Sequence, residues 1–231
     1  MGFIFIQPET TEKPITLIGK EAGICYGADV LNDVKNYKRG LECLKNQHGR
    51  TLEFPTVYML IDGYSARVIR EFYTHIGGAP TRLQASTRYI EYGQFDYITP
   101  PSIEKDEKLN SLYANTMAAI GSIIRTLEEN GVPKEDAANL LPLGMTTRVV
   151  CKINLRTLID MSHQRMCARA YWEFRQLFRD IRRELKDYSE EWSYIVDTYF
   201  EPKCNYLGYC PEKFTCGKMN PKITESASQE S

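Results

Sequence analysis

The chain has 231 residues, 42% of them hydrophobic, enough for a sizeable core in one large domain or two small ones, and one is the simpler expectation. Lys and Arg number 29 against 30 Asp and Glu, a net charge of -1, so no global field holds the protein to nucleic acid or to an anionic membrane; anion binding falls to local patches. Phe3-Ile4-Phe5-Ile6 is too short to span a bilayer and lacks the form of a signal peptide, and seven cysteines, an odd number, read as reduced thiols, so a cytoplasmic location is expected.

In chain order, Ile15 to Ile18 reads as a short strand, and Val30, Val34, Tyr37, Leu41 and Leu44 fall at the spacing of a helix over Asp29 to Gln47, capped by Asp29. The β-branched and aromatic run Pro55 to Ile61 predicts a buried strand, and Ser65 to His75 a helix ending at Gly77-Gly78. The stretch Thr81-Arg82-Leu83-Gln84-Ala85-Ser86-Thr87-Arg88-Tyr89 then leaves a Gly-Gly-Ala-Pro turn. Arginine offers five N–H donors in a fork that matches a phosphate, and hydroxyls with backbone amides complete a nest for its oxygens; the alternative is a turn with solvated charges.

The apolar spacing of Leu109, Leu112, Tyr113, Ile120, Ile123, Ile124 and Leu127 predicts a long amphipathic helix over Ile103 to Asn130, closed by Gly131 and Pro133, for core or subunit interface. A short helix over Lys134 to Leu141 stops at Pro142, and Thr146 to Ile153 alternates as a strand. Asn154 caps a helix reaching about Lys186, and Glu190 to Phe200 adds another. Long helices around a few strands make an α+β or mixed α/β domain over residues 1–200, followed by a cysteine-containing tail over 201–231 whose end, Thr224 to Ser231, reads as disordered.

Spacings of four place Arg165, Arg169 and Glu173 on one face of the helix that starts at Asn154, either as an ion-pair ladder in water or as ligand-facing arginines. The apolar neighbours Leu155, Leu158, Ile159, Met161 and Trp172 point to burial, and a buried arginine needs anionic or carbonyl partners. His75 and His163 are conceivable bases without an evident partner, and Asp96 and Asp160 are acids or bases, or else caps and ion-pair partners. No nucleophile elbow, His-Glu-x-x-His helix, Walker loop or Gly-x-Gly-x-x-Gly fingerprint occurs. Cys204, Cys210 and Cys216 are spaced too widely for a two-residue zinc knuckle; a metal there would need a fourth ligand such as Cys167 or His163, and the alternative is thiols packing a loop. Cys25, Cys43 and Cys151 read as small core residues.

Ser86-Thr87-Arg88-Tyr89, then Leu141-Pro142, Thr146 or Thr147, Asn154-Leu155-Arg156, Arg165 and Arg169-Ala170-Tyr171-Trp172-Glu173-Phe174-Arg175, resembles the flavin-dependent thymidylate synthases in motif and order. Supporting pieces are Ala22-Gly23-Ile24-Cys25-Tyr26, His48-Gly49-Arg50-Thr51-Leu52-Glu53 and Tyr64-Ser65-Ala66-Arg67. The resemblance implies an α+β fold, a small and mostly antiparallel sheet packed with several long helices. It implies a homotetramer with FAD sites shared between subunits, and reductive methylation of dUMP to dTMP with methylenetetrahydrofolate as carbon donor and NADPH as reductant. By matched position, Ser86, Thr87 and Arg88 would bind the nucleotide, with Gln84 beside them and Arg82 from the inserted turn. Arg165 would be the catalytic residue, between uracil carbonyl and flavin, while Asn154 and Arg156, with His75 and Asp160, would contact FAD. No nucleic acid or membrane partner is implied.

The pattern departs where Thr74-His75-Ile76 stands in place of an Arg-His-Arg signature and where Gln84 replaces an acidic residue. Ala138 replaces an arginine, Phe54 a histidine, Glu71 a glutamine and Asp160 an asparagine. These changes lower the positive charge of a site for phosphorylated ligands. A second reading is therefore a non-catalytic or altered-specificity pyrimidine deoxynucleotide-binding protein on the same fold. A third, a zinc-stabilised nucleic-acid-interaction module built on the cysteine tail, has the neutral net charge against it.

Overall fold

The computed structural model describes residues 2–221. The segment Thr224 to Ser231, read as disordered, lies outside the described residues. In chain order the elements are β1 (Phe3–Ile6), α1 (Pro14–Ile24), α2 (Asp33–Lys45), β2 (Thr56–Ser65), α3 (Ala66–Phe72), β3 (Thr81–Gln84) and α4 (Pro101–Glu104). They continue with α5 (Glu107–Glu129), α6 (Lys134–Ala137), β4 (Thr146–Asn154), α7 (Leu155–Arg165), α8 (Trp172–Tyr188), α9 (Glu190–Tyr199) and α10 (Lys203–Leu207). The class is α+β, as the resemblance implied. Two compact units result, one from the residues up to Pro8 with Tyr58–Lys152, the other from Glu9–Val57 with the residues from Ile153 onward.

The first unit carries the sheet, in the order β1-β2-β4-β3. β1 runs antiparallel to β2, with Ile4 opposite Ile61 and Ile6 opposite Met59. β3 runs antiparallel to β4, with Arg82 opposite Cys151 and Gln84 opposite Val149. Because successive side chains point to opposite faces, Ile4, Ile6, Met59, Ile61, Val149 and Cys151 are buried while Phe3, Phe5 and Leu83 stay 48%, 54% and 71% exposed. The apolar run at the N-terminus is thus an edge strand, and the phosphate-type stretch begins as a strand rather than a turn. A separate cluster joins Tyr92, Ile124, Ala137 and Met145, which positions α5 and α6.

Local chemistry sets the boundaries here. Ser65 Oγ accepts from Val68 N–H at 3.2 Å and starts α3. That helix stops at Phe72, short of the expected His75: Thr74 Oγ1 donates to the Glu71 carbonyl at 2.7 Å, and the Arg82 guanidinium takes the carbonyls of Phe72 and His75. The helix expected over Ile103 to Asn130 is two, because Asp106 Oδ1 accepts from Lys108 and Leu109 N–H at 2.9 and 3.1 Å and opens α5 afresh.

In the second unit, Ile15 to Ile18 is not a strand but part of α1. Its Ile15 and Ile18 are three apart and fully buried, a helical and not an alternating pattern. The N-terminus has no local capping side chain; Glu191 supplies one, its carboxylate accepting from Ile15 N–H at 2.6 Å, Thr16 N–H at 3.0 Å and the Thr16 hydroxyl at 2.6 Å. Asn32, not Asp29, caps α2, accepting from Lys35 N–H at 3.0 Å, while Asp29 forms the preceding turn with Leu31 N–H. α1 and α2 pack backbone to backbone: a Cβ on Gly19 would overlap the Asn36 carbonyl, and one on Gly40 the Ile15 carbonyl.

The single helix expected from Asn154 to Lys186 is broken after Arg165, where a loop leads to α8. Arg175 donates to the Ala168 carbonyl inside that loop, and Tyr171 is extended (φ -53°, ψ 134°), which ends helical continuation. Arg165, Arg169 and Glu173 therefore do not share one helix face. Phe174, Leu177, Phe178, Ile181 and Leu185 give α8 a fully buried stripe. Cys25, read as core, is exposed, whereas Cys43 and Cys151 are buried. Among the described residues no helix is long and apolar enough to cross a membrane.

Candidate active site

On the first unit, Ser86 Oγ accepts from Arg88 N–H at 3.1 Å, a local turn that sets Ser86, Thr87 and Arg88 next to one another past the end of β3. Arg88 reaches outward, Nε donating to Glu135 at 2.7 Å, with its guanidinium over the Tyr89 ring at 5.7 Å. Arg82 faces the other way. Besides the two carbonyls it lies over the rings of Phe72 and Tyr73, 5.1 and 5.0 Å from their centroids, and burial pushes its pKa down from the ordinary guanidinium value. Its buried Nε has no hydrogen-bond partner among the described residues. Gln84 Nε2 donates to Thr147 Oγ1 at 3.3 Å, and His75 is buried, its carbonyl held by Arg82. The opposite Cys151 thiol is pushed up to about 12 by burial.

On the second unit, Asn154 Oδ1 accepts from Thr157 N–H at 2.9 Å and caps α7, as its place in the sequence predicts. Further along α7, Arg156 and Asp160 line one cavity of 430 Å3 with Gly49, Leu52, Tyr199 and Tyr206. Arg156 pairs with Glu53 at 2.7 Å, and its guanidinium carbon lies 3.2 Å from where a Cβ on Gly49 would stand. Arg165, at the last position of α7, lines a second cavity of 480 Å3 and lies 4.5 Å from the centroid of the fully buried Phe174 ring. His163 stands in both walls, stacked on Tyr206 at 4.9 Å, and desolvation lowers its pKa below the usual imidazole value.

The structure thus brings Arg156 together with Asp160 in one wall, joins Arg82 to His75, and gathers Ser86 to Arg88 in one turn. Glu135 and Tyr206 have no signal in the sequence, and Thr147 and Phe174, though part of the motifs quoted above, carry none for the mates Gln84 and Arg165 that they meet through the fold rather than through spacing. Cys204, Cys210 and Cys216 line the Arg165 cavity, and Cys167 joins them there. Among the described residues, no three His, Cys, Asp or Glu side chains are placed as a metal-holding group.

This arrangement of helices and small sheet is similar to that of Thymidylate Synthase X from Helicobacter pylori, solved with FAD and dUMP. The likeness has a TM-score of 0.68 and 18% identity, covering 87% of this chain and 99% of that one. The fold is therefore that of the thymidylate synthase X class. The chain belongs to the thymidylate synthase complementing protein family, whose model matches residues 9–189. Among relatives, the flavin-dependent thymidylate synthase of Nitratidesulfovibrio vulgaris is 27% identical over 230 residues, 90% of this chain and 91% of the relative. That of Pyrococcus furiosus is 31% identical over 170 residues, 72% of this chain and 69% of the relative.

Proposed function

We propose that this chain is a flavin-dependent thymidylate synthase that methylates dUMP reductively to dTMP. The observation that carries the reading is the family match over residues 9–189, within which the Ser86 to Arg88 turn, the Asn154-capped helix and Arg165 occur in the family's order. The methylene carbon of methylenetetrahydrofolate replaces the hydrogen on uracil C5; that proton, a hydride equivalent from NADPH and a proton from solvent supply the third methyl hydrogen and the two N–H hydrogens of tetrahydrofolate, leaving NADP+.

Ser86, Thr87 and Arg88 take the nucleotide phosphate in this reading. Arg88 exchanges Glu135 for the phosphate, a change favoured because a dianion binds the guanidinium fork more strongly than a carboxylate does. Gln84 flanks the phosphate, while Arg82, expected there from the sequence, instead fixes the turn that follows α3 through the Phe72 and His75 carbonyls. Arg165, oriented by the Phe174 ring, stabilises negative charge developing on the uracil carbonyl.

The cavity of Arg156 and Asp160 combines a guanidinium with apolar and aromatic walls from Leu44, Leu52 and Tyr199, donor chemistry that fits a phosphorylated aromatic cofactor. His75, Asn154, Arg156 and Asp160 are the residues assigned to FAD, which when bound supplies the hydride-transfer chemistry. The exposed Phe3, Phe5, Leu83, Leu112 and Ile123 support burial against further copies in a homotetramer. A catalytic-type domain over 1–200, a cysteine-bearing tail and a cytoplasmic location complete the reading.

The test is the purified full chain. A yellow protein with a bound-flavin spectrum that forms dTMP from dUMP, methylenetetrahydrofolate and NADPH is the expected result. Thermal stabilisation by dUMP with neither flavin nor turnover would transfer the assignment to a non-catalytic nucleotide-binding protein.

A further inference from the structure

Four of the seven cysteines line one cavity. Cys167, in the loop between α7 and α8, and Cys204, Cys210 and Cys216, in the C-terminal segment, line the same 480 Å3 cavity, and all four are free thiols. The C-terminal segment follows a defined path: Gly208 turns the chain at φ 75°, Cys210 N–H donates to the Asn220 carbonyl at 2.8 Å, and Thr215 Oγ1 donates to the Met219 carbonyl at 2.8 Å. Arg169 ties it to the loop through the Phe214 carbonyl at 2.8 Å and Glu212 at 3.3 Å. From Lys203 to Pro221, however, Cys210 is the one buried residue. A segment with one short helix and a single buried side chain has little to offset the entropy of ordering it, and proteins meet that deficit with a covalent or metal cross-link.

We propose that Cys167, Cys204, Cys210 and Cys216 form a tetrathiolate zinc site that fastens the C-terminal segment to the loop between α7 and α8, beside Arg165. Four soft sulfur donors complete a closed tetrahedral site, the arrangement of structural zinc. As four Zn–S bonds form, the four S–H protons pass to solvent, with no change of oxidation state. The resulting negative charge falls in a wall that holds Arg165, Arg169 and Lys203, against one carboxylate, Glu212, already paired with Arg169. His163 is in the same wall, its ring stacked on Tyr206, and the four thiols complete a four-coordinate site without it. Since the thiols are not placed as a metal-holding group, occupation draws the exposed segment in toward Cys167 until each sulfur lies about 2.3 Å from the ion. Little burial is lost in that movement.

The test reads metal and protection rather than turnover, so its failure is distinguishable from failure of the proposed activity. Full-length chain is purified under reducing conditions, its metal content measured, and the metal-free protein titrated with zinc chloride and with cobalt chloride. The expected result is roughly one zinc ion per chain, a thiolate-to-cobalt charge-transfer band, and protection of residues 203–221 from protease that a chelator removes. Cys204→Ser and Cys216→Ser should each reduce retained zinc to background, while Cys25→Ser, at an exposed thiol outside the cavity, keeps it. Retention of zinc by both cavity variants would overturn the proposal. So would iron with sulfide in place of zinc, a disulfide between any two of the four cysteines, or no metal and unchanged protection on titration.

Discussion

Removing the Arg82 side chain would leave the Phe72 and His75 carbonyls without their donor and the Phe72 and Tyr73 rings without their covering cation. We expect Arg82→Ala to cost about 1–3 kcal/mol of stability, read from the denaturant midpoint at constant slope; a change within experimental error would refute this structural role. Arg88 is held by one surface carboxylate, so Arg88→Ala should leave stability within about 0.5 kcal/mol and raise the dUMP concentration needed for half-maximal rate. Arg165→Ala should instead lower turnover far more than it weakens folding; an equal collapse of folding and rate would make Arg165 a packing residue. The hydroxyl and arginine chemistry of residues 81–89 is plain in the sequence. Which arginine turns inward is not, because that depends on β3 pairing with β4 in the register that sets Arg82 opposite Cys151.

Elements were legible in the sequence where a cap and a stripe lie close together. Asn154 before α7 is of this kind, and α3 opens at Ser65 where its helix is expected, whereas α8 reads as a continuation of α7 because its first turn has no capping side chain to mark a new start. α1 was not legible either, since its capping carboxylate comes from Glu191 and its short run of Ile15, Thr16, Leu17 and Ile18 suits either period. The contact of α1 with α2 rests on two glycines that carry no side chain for a pattern to register. Gly40→Ala should force the helices apart and lower the thermal midpoint by several degrees, more than Gly27→Ala, where a Cβ meets open space and the cost comes from φ +60° alone. Similar losses in the two variants would argue against close packing as the cause.

At the scale of the whole molecule, ordered motifs carried the family where composition and charge carried only exclusions. The division into two units was hidden, because each is assembled from segments far apart in sequence. The homotetramer proposed above would cover the apolar positions left exposed on β1, β3 and α5; light scattering should then report a tetramer, and Phe5→Asp should shift it toward smaller species. A wild-type monomer at micromolar concentration would rule that assembly out.

The carboxylate that closes the start of α1 has a consequence for synthesis. Thr16 waits 175 residues for Glu191, and at roughly 5–20 residues per second that is on the order of 10–35 s of translation. For that interval the Pro14–Ile24 segment emerges from the ribosome without its acceptor, so a nascent chain halted within α8 would lack the final stitch of its first helix.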